Sequence, residues 1–286
     1  MRERLRLAVP NKGRMVEPSL RLLHDAGLVF DEHDRSLVAR VQNYDLDILF
    51  VRTNDIIEFV RDGVADLGIT GLDLLSETGV ELRQVRQLGF GRCRLTAAVP
   101  NDSTSQSIDD LAGLRVATAH PNTTRAYFAE RGVPVDIIPI SGAVEVAPRL
   151  GLAEAIVDLV STGSTMVMNG LRPIGDVLAS EAVLVADPAA DLERGDALEA
   201  IDTMLSAVIA ARGRKYLMMN APASQLEELE ALLPALESPT IIPLAHSGMI
   251  AIHSVVGSDD VWSLLPRLKA AGASGILVLP IEKIVA

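Results

Sequence analysis

Residues 141–166, SGAVEVAPRLGLAEAIVDLVSTGSTM, contain the pattern that decides the fold. Glu145 begins a short helical turn that Gly151 ends, and the apolar run AIVDLV at residues 155–160 is typical of a buried strand. The small and hydroxyl-bearing residues 161–165, STGST, follow this run directly. This succession predicts an α/β sheet, in which ligands bind beyond the carboxyl ends of the strands.

The turn 161–165 offers backbone N–H groups and hydroxyls, which suit the oxygens of a phosphate group. Asp158 precedes this turn, and Glu145 supplies a second carboxylate. Because a carboxylate repels a phosphate, we expect this pair to serve neighbouring groups, either sugar hydroxyls or a Mg²⁺ ion shared with the ligand. The pattern therefore predicts a phosphorylated sugar as the ligand. A Ser/Thr/Gly cluster is equally typical of an ordinary capped turn between a strand and a helix.

The composition predicts a soluble, cytoplasmic protein. The 286 residues are 49% apolar, and the single cysteine, Cys93, cannot form an internal disulfide. No apolar run reaches the roughly 18 residues of a membrane span, and the first strand meets Pro10 too early for a signal peptide. The formal net charge of −12 argues against nucleic-acid and membrane partners, because the sequence lacks the basic stripe that they need.

Two strands near the N-terminus end at cationic residues. Residues 5–9 form the first strand, and the loop that follows it carries Lys12 and Arg14. Residues 46–51 form another strand, which ends at Arg52. At such a position Lys12 could contact a pyrophosphate or triphosphate as a mobile point charge. A solvated loop lysine is the alternative interpretation.

An internal echo indicates two similar lobes. Residues 62–71, DGVADLGITG, repeat the pattern of residues 151–163, GLAEAIVDLVSTG. In both copies a glycine ends a helix, a small residue and an acid enter a buried strand, and a Thr-Gly turn leaves it. The echo predicts two α/β lobes that face each other across a cleft, although a chance match of two helix–strand junctions would look the same.

The remaining chain predicts how these lobes are divided. An apolar strand at residues 181–186 returns to the first lobe, and the elements after Arg212 follow the order β-α-β-β-α-β, which is typical of a ferredoxin-like module. We therefore predict three domains, listed as follows: the first lobe at residues 1–93 and 182–212, the second lobe with the phosphate turn at 94–181, and the ferredoxin-like domain at 213–286.

The motif as a whole resembles the signature of the ATP phosphoribosyltransferases in their long form, the first enzymes of histidine biosynthesis. The residues that carry the resemblance are Glu145, Gly151, Ala153, Ile156, Asp158, Leu159 and residues 162–166. Residues 9–14, VPNKGR, and 276–283, ILVLPIEK, are similar to the family too, so the resemblance covers almost the full length. It implies a two-lobed core like that of periplasmic binding proteins, followed by a ferredoxin-like regulatory domain.

The resemblance also implies a reaction. The family condenses ATP, at N1 of adenine, with 5-phosphoribosyl 1-pyrophosphate (PRPP), and Mg²⁺ accompanies the substrate phosphates without a dedicated protein site. By this resemblance the catalytic residues are Lys12, Arg52, Glu145 and Asp158. The PRPP-binding residues are Ser161, Thr162, Gly163, Ser164, Thr165, Thr70 and Gly71. The ATP-binding residues are Arg14, Leu72, Asp73 and His120, where His120 departs from the tyrosine that relatives often have.

Regulation by histidine follows from the same resemblance. Long-form relatives bind histidine as a feedback inhibitor in the terminal domain, which implies Thr240, Val255 and Gly275 as its contacts here. Asn220 occupies a position where some relatives have an acidic ligand for histidine. The family also suggests dimers that assemble into hexamers. Judged by composition alone, residues 238–240, SPT, are more typical of a helix-to-strand turn and residues 272–274, GAS, of a helix end.

Two other functions are compatible with parts of this pattern. A two-lobed solute-binding protein would share the lobes and the cleft, but the expected lack of a signal peptide and the ferredoxin-like module argue against it. A catalytically silent regulatory homologue would bind only histidine or a nucleotide. The intact STGST turn, together with Asp158 and Glu145, argues against that second alternative.

Overall fold

The computed structural model describes residues 4–31, 36–161, 163–233 and 238–285. The chain divides into two compact units, Met1–Asp202 and Thr203–Ala286. The sequence predicted the boundary near Arg212, at the end of a helix. The two compact units divide within that helix, and the backbone N–H of Ile284 donates to the carbonyl of Ala207 at 2.9 Å within the second unit. A boundary inside a helix has no glycine or proline to mark it.

The first unit alternates strands and helices as predicted. Its strands are β1 Leu5–Pro10, β2 Val38–Arg40, β3 Leu46–Val51, β4 Leu67–Gly71, β5 Arg83–Gln87, β6 Cys93–Pro100, β7 Arg115–Thr118, β8 Asp136–Pro139, β9 Ala155–Val160, β10 Leu171–Ser180 and β11 Ala182–Ala186. Its helices are α1 Val16–Asp25, α2 Ile56–Arg61, α3 Leu72–Thr78, α4 Pro121–Glu130, α5 Ser164–Met168 and α6 Pro188–Ala211, the last of which crosses the unit boundary.

These strands form two sheets, which confirms the two-lobed α/β architecture. The first sheet has the order β2-β3-β1-β4-β11-β5, and the second has the order β10-β6-β9-β7-β8. In the first sheet, the adjacent strands β3, β1 and β4 are parallel. In the second sheet, the adjacent strands β9, β7 and β8 are parallel. Each sheet therefore brings three strand carboxyl ends to one edge, which is where α/β sheets bind ligands.

The strand that the sequence predicted at residues 155–160 is β9, with the same bounds. Its first three residues are buried, because both faces of the second sheet are covered. Ala155 and Val157 pack with Phe128 on one face, whereas Ile156 packs with Met166 on the other. A strand that is covered on both faces reads as a continuous apolar run instead of an alternating one, which explains the pattern AIVDLV.

Both glycines of the internal echo have the conformation that the echo requires. Gly63 and Gly151 lie at φ of 63° and 69°, in the left-handed region that ends helices at glycine. The strands that follow them, β4 and β9, each have one parallel neighbour, β1 or β7, and one antiparallel neighbour, β11 or β6. The two copies are therefore equivalent in structure as well as in sequence.

Two crossing segments connect the lobes, at residues 88–93 and 180–182. Ser180 pairs with Cys93 in the second sheet, and two residues later Ala182 pairs with Gly71 in the first. The crossing segments are bonded to each other, since Leu88 N–H donates to the carbonyl of Ala182 at 2.9 Å. The lobes are thus joined by two adjacent connections.

The second unit has the predicted ferredoxin-like topology. Its elements are β12 Arg214–Pro222, α7 Leu226–Leu232, β13 Thr240–Pro243, β14 Met249–Gly257, α8 Val261–Ala270 and β15 Ser274–Pro280. The four strands form an antiparallel sheet of order β13-β14-β12-β15. Leu217 and Ile252 of the sheet pack with Leu229 and Leu268 of the helices, so the helices cover one face of the sheet. Within the described residues, every helix of the chain is too short or too polar to cross a membrane.

Candidate functional site

The first sheet brings four predicted ligand groups to one edge. Lys12 follows β1, Arg52 follows β3, and Thr70 and Gly71 end β4. Pro10 of β1 pairs with Val51 of β3. The backbone N–H of Asn11, which follows β1, donates to the carbonyl of Val51 at 2.8 Å. Lys12 and Arg52 are both exposed. Two cations therefore project from neighbouring strand ends, beside the buried Thr-Gly turn.

The second sheet presents the polar turn and the two carboxylates in the same way. Asp158 lies in the last half of β9, and Ser161 follows that strand directly. Glu145 lies in the short 3-10 turn Val144–Val146, which follows β8. Because β9, β7 and β8 are neighbours, these groups and His120, which follows β7, share one edge of the sheet.

The predicted phosphate turn keeps its hydroxyl groups accessible. Ser161, Ser164 and Thr165 are exposed at the end of β9 and the start of α5. Gly163 has a φ of 79°, a conformation that side chains other than glycine disfavour, so the turn depends on this residue. Thr162, the remaining predicted member, lies outside the described residues.

Asp158 and Glu145 lie close enough to influence each other. Burial is the largest cause that raises the pKa of Asp158 above its ordinary value, and the negative charge of Glu145 raises it further. The backbone N–H of Leu159 donates to Asp158 Oδ1 at 2.8 Å and acts in the opposite direction. A half-buried pair of like charges is suited to a cation or to hydroxyl donors. The described residues include no group of three or more His, Cys, Asp or Glu side chains that could hold a metal ion.

Asp73 and His120 meet across the cleft, since Asp73 lies in α3 of the first lobe and His120 precedes α4 of the second. They are 8% and 6% exposed, and His120 Nε2 lies 3.7 Å from Asp73 Oδ2. Ser180 Oγ donates to Asp73 Oδ1 at 2.6 Å and accepts from the Asp73 backbone N–H at 2.9 Å. Burial acts to raise the pKa of Asp73, but His120 and Ser180 outweigh it and hold this pKa below its ordinary value. Asp73 is therefore ionised at neutral pH.

Two residues of this region were missed by the sequence analysis, Ser180 and Glu77. Glu77 of α3 accepts hydrogen bonds from the backbone N–H groups of Asn122 and Thr123 at 2.9 Å each, so a first-lobe carboxylate caps a second-lobe helix. Pro121, at the first position of α4, is the available signal for that helix start. The sequence offers no signal for the partner, because it lies 45 residues away.

Comparison with known proteins identifies the family to which this chain belongs. A family model described as ATP phosphoribosyltransferase (HisG) matches residues 52–208, and a model of the HisG C-terminal domain matches residues 211–283. The chain belongs to the ATP phosphoribosyltransferase family. It is therefore an enzyme, a pentosyltransferase of histidine biosynthesis, and the resemblance found in the sequence is confirmed.

Individual ATP phosphoribosyltransferases match along almost the whole chain. The protein from Gemmatimonas aurantiaca is 46% identical over 291 residues, covering 98% of this chain and 99% of that protein. The protein from Methanopyrus kandleri is 44% identical over 281 residues, covering 98% and 99%. A solved chain of the ATP phosphoribosyl transferase (HisG:HisZ) complex from Thermotoga maritima matches with a TM-score of 0.62 and 30% identity, over 72% of this chain and 98% of that one.

Leu72 and Arg14 are the two remaining residues predicted to bind ATP in this member of the ATP phosphoribosyltransferase family. Leu72 begins α3 next to Asp73 and lines a cavity beside the crossing segments together with Ser161 and Ser180. Arg14 is exposed in the loop after β1. The cavity lining includes residues of both lobes, so the first-lobe helix start and the second-lobe phosphate turn face a common space.

The residues predicted to bind histidine do not lie together in one copy of the chain. Thr240 is on β13 and Gly275 is on β15, which are the two edge strands of the four-stranded sheet, with Val255 on β14 between them. Three strand spacings separate the edges, a distance of roughly 14 Å. A Cβ added to Gly275 would lie 3.4 Å from the side-chain amide nitrogen of Asn220, so the glycine leaves room beside Asn220.

Proposed function

We propose that the enzyme transfers the phosphoribosyl group of PRPP to N1 of ATP, which gives N1-(5-phosphoribosyl)-ATP and pyrophosphate. The single observation that carries this proposal is the charge distribution around the cleft. Two exposed cations follow the strands of one lobe, whereas a hydroxyl-rich turn and a pair of carboxylates lie at the strand ends of the other. A substrate with a pyrophosphate at one end, a phosphate at the other and a sugar between them complements this arrangement.

Each group has a role in breaking the bond between C1 of the ribose and the pyrophosphate. The 5′-phosphate binds Ser161, Ser164 and Thr165, which fixes the sugar beside Asp158 and Glu145. Positive charge develops on the ribose in the transition state, and these carboxylates stabilise it while they accept hydrogen bonds from the hydroxyls. The reaction uses N1 of the adenine as nucleophile, so no side-chain nucleophile is required. Placement and fixed charges supply the catalysis.

The two cations serve the leaving group. Negative charge accumulates on the pyrophosphate as its bond to C1 breaks, and Lys12 and Arg52 neutralise that charge from neighbouring strand ends. Asp158 and Glu145 are the protein groups that would hold a Mg²⁺ ion, which would supply further neutralisation of the leaving group. ATP occupies the face of the cleft formed by Arg14, Leu72, Asp73 and His120.

Turnover by the purified chain tests this proposal. We expect pyrophosphate release only when ATP, PRPP and Mg²⁺ are all present, and loss of activity after exhaustive chelation with recovery when Mg²⁺ is restored. No pyrophosphate release under these conditions would reject the transferase reaction and leave a binding or silent regulatory role. Full activity after chelation would reject the metal requirement alone.

Regulation by histidine belongs to the same proposal. We infer that the second unit binds histidine through Thr240, Val255 and Gly275, and that cytoplasmic homo-oligomers, dimers assembling into hexamers, carry out the reaction. The separation of Thr240 from Gly275 supports an oligomer, because one histidine is too small to contact both edges of the same sheet. A site built from one edge of each of two copies would use all three residues.

Thr240→Val tests the histidine site. The substitution keeps the shape of an edge-strand residue but removes its hydroxyl, so we expect histidine inhibition to weaken at least roughly tenfold with uninhibited turnover unchanged. Inhibition curves and calorimetry measure the effect, and sedimentation checks that the oligomer persists. Thr104→Val, at an exposed position of the first unit, is the matched control. Equal histidine affinity in wild type and Thr240→Val would remove Thr240 from the site, and no histidine binding to wild type would reject the sensor.

A further inference from the structure

The cavity beside the crossing segments, about 430 Å³ in volume, contains two cations that the steps described so far do not use. Arg92 and Arg94 line it together with Ser161, the first residue of the phosphate turn at residues 161–165. Both arginines are exposed. An anion in this cavity would therefore meet positive charge and a hydroxyl group in the same space.

Strand pairing places Arg94 at the end of β9, where the phosphate turn begins. The strand β6 runs antiparallel to β9, and Arg94, near the start of β6, pairs with Val160, the last residue of β9. Thr96 pairs with Asp158 in the same way. Because paired residues of neighbouring strands point to the same face of a sheet, the side chains of Arg94 and Asp158 share one face. Arg94 therefore lies beside the strand end that leads into Ser161.

Asp176 of β10 orients Arg94 without using all of its hydrogen-bond donors. Arg94 Nη1 donates to Asp176 Oδ2 at 3.0 Å, and the hydroxyl of Thr96 donates to Asp176 Oδ1 at 2.9 Å. The contact uses Nη1, and the planar guanidinium has further N–H groups that suit phosphate oxygens. The side chains of Arg94 and Asp176 are 67% and 46% exposed, and ion pairs in such positions are weak. The pair therefore leaves Arg94 able to contact a ligand.

The phosphate turn needs a cation because its surroundings are negative. Residues 161–165, STGST, carry hydroxyl and backbone donors but no charged side chain. Asp158 and Glu145 place two carboxylates at the same edge of the sheet. A phosphate dianion held there by neutral donors alone would be repelled by both carboxylates, whereas a guanidinium in the same cavity offsets that repulsion.

We propose that Arg94, oriented by Asp176, binds the 5′-phosphate of the sugar substrate together with the phosphate turn. This inference rests on the proposed function and adds a cation to its phosphate site. The two ends of one substrate then bind arginines of opposite lobes, the 5′-phosphate Arg94 and the pyrophosphate Arg52. Loss of Arg94 should weaken binding of a sugar phosphate and leave pyrophosphate binding almost unchanged.

Calorimetry with ribose 5-phosphate and, separately, with pyrophosphate tests the inference without turnover. In Arg94→Met we expect the dissociation constant of ribose 5-phosphate to rise roughly tenfold or more and that of pyrophosphate to change less than about threefold, because one charge-assisted contact is lost. Retained pyrophosphate binding also shows that the variant is folded. Arg94→Lys keeps the charge without the planar fork, so it should lose less affinity than Arg94→Met.

Arg115→Met is the matched control for the calorimetry. Arg115 is also a partly exposed strand arginine of the second lobe, and it pairs with the carboxylate of Glu154 as Arg94 pairs with that of Asp176. The control variant should bind ribose 5-phosphate as wild type does. A loss in Arg115→Met as large as in Arg94→Met would show that the net charge of the lobe determines binding, which would overturn the inference.

Steady-state kinetics separate a binding role from a general structural effect. Arg94→Met should raise KM for PRPP roughly tenfold, with changes in kcat and in KM for ATP of less than about threefold. Unchanged affinity for ribose 5-phosphate in Arg94→Met, equal losses for ribose 5-phosphate and pyrophosphate, or no binding of ribose 5-phosphate by wild type would overturn the inference. Pyrophosphate release from ATP and PRPP together with unchanged ribose 5-phosphate affinity in Arg94→Met would reject this inference alone. A large loss of that affinity in a protein whose wild type releases no pyrophosphate would reject the transfer reaction alone.

Discussion

Asp158→Asn should lower turnover roughly 100-fold or more while the protein stays folded. The substitution keeps the size of the side chain, and its amide oxygen can still accept the hydrogen bond from the Leu159 N–H. It removes the negative charge that, with Glu145, stabilises the positive ribose of the transition state. Steady-state rates of pyrophosphate release measure the effect. Asp102→Asn, at an exposed loop position, serves as the control and should retain wild-type turnover.

The same variant separates a catalytic role of Asp158 from a structural one. Because burial and Glu145 raise the pKa of Asp158 in the folded protein, its contribution to stability is fully present only below the unfolded pKa and is lost as pH rises through the folded pKa. At pH 7 the ionised form of Asp158 therefore opposes folding. The Asp158→Asn variant should unfold at a temperature equal to or higher than that of wild type. A clear drop in melting temperature, or unchanged turnover, would contradict the catalytic assignment.

The pH dependence of turnover should reflect the same raised pKa. Turnover needs the ionised carboxylate, so it should fall on acidification at a higher pH than an ordinary aspartate would cause. In Asp158→Asn the residual activity should lack that acidic limb. Acidification therefore has opposite effects on stability and on turnover. It removes the free-energy cost of burying the charge, but it also removes the charge that the reaction uses.

The sequence predicted those parts of the fold and site that depend on neighbouring residues. The strand β9 and the turn after it are continuous in the chain, and both faces of β9 are covered, so an apolar run followed by small polar residues identified them. The strands β5 and β8 were not predicted. Both have exposed ends and no fully buried residue, so their composition resembles that of loops.

The missed contacts depend on residues that are far apart in sequence. Ser180 lies 107 residues from its partner Asp73, and the pair meets only because the crossing segment between the lobes ends beside the start of α3. A serine at a strand end has no local feature that predicts this bond. The burial of His120 is similar, since a histidine in a loop before a helix reads as exposed until the opposite lobe covers it.

Lys12→Met and Arg52→Met should each lower kcat/KM for PRPP roughly 100-fold, with a smaller effect on KM for ATP. Methionine keeps an unbranched apolar stem and removes the charge. Both cations follow adjacent parallel strands, and no ion pair among the described residues occupies either of them, so both are available to the pyrophosphate. Steady-state kinetics with each substrate varied in turn measure the effect.

The double variant tests whether Lys12 and Arg52 act on one leaving group. If both neutralise the same pyrophosphate, their effects should be coupled, and the double variant should lose a different amount from the product of the single losses. If the two cations acted independently as surface charges, their losses in kcat/KM would multiply in the double variant. Added salt would then weaken both effects equally. Arg61→Met is the matched control, since Arg61 is also an exposed first-lobe arginine but pairs with Asp62 at 2.8 Å. A loss in Arg61→Met as large as in Arg52→Met would show that net charge, and not the position at the strand end, determines PRPP binding.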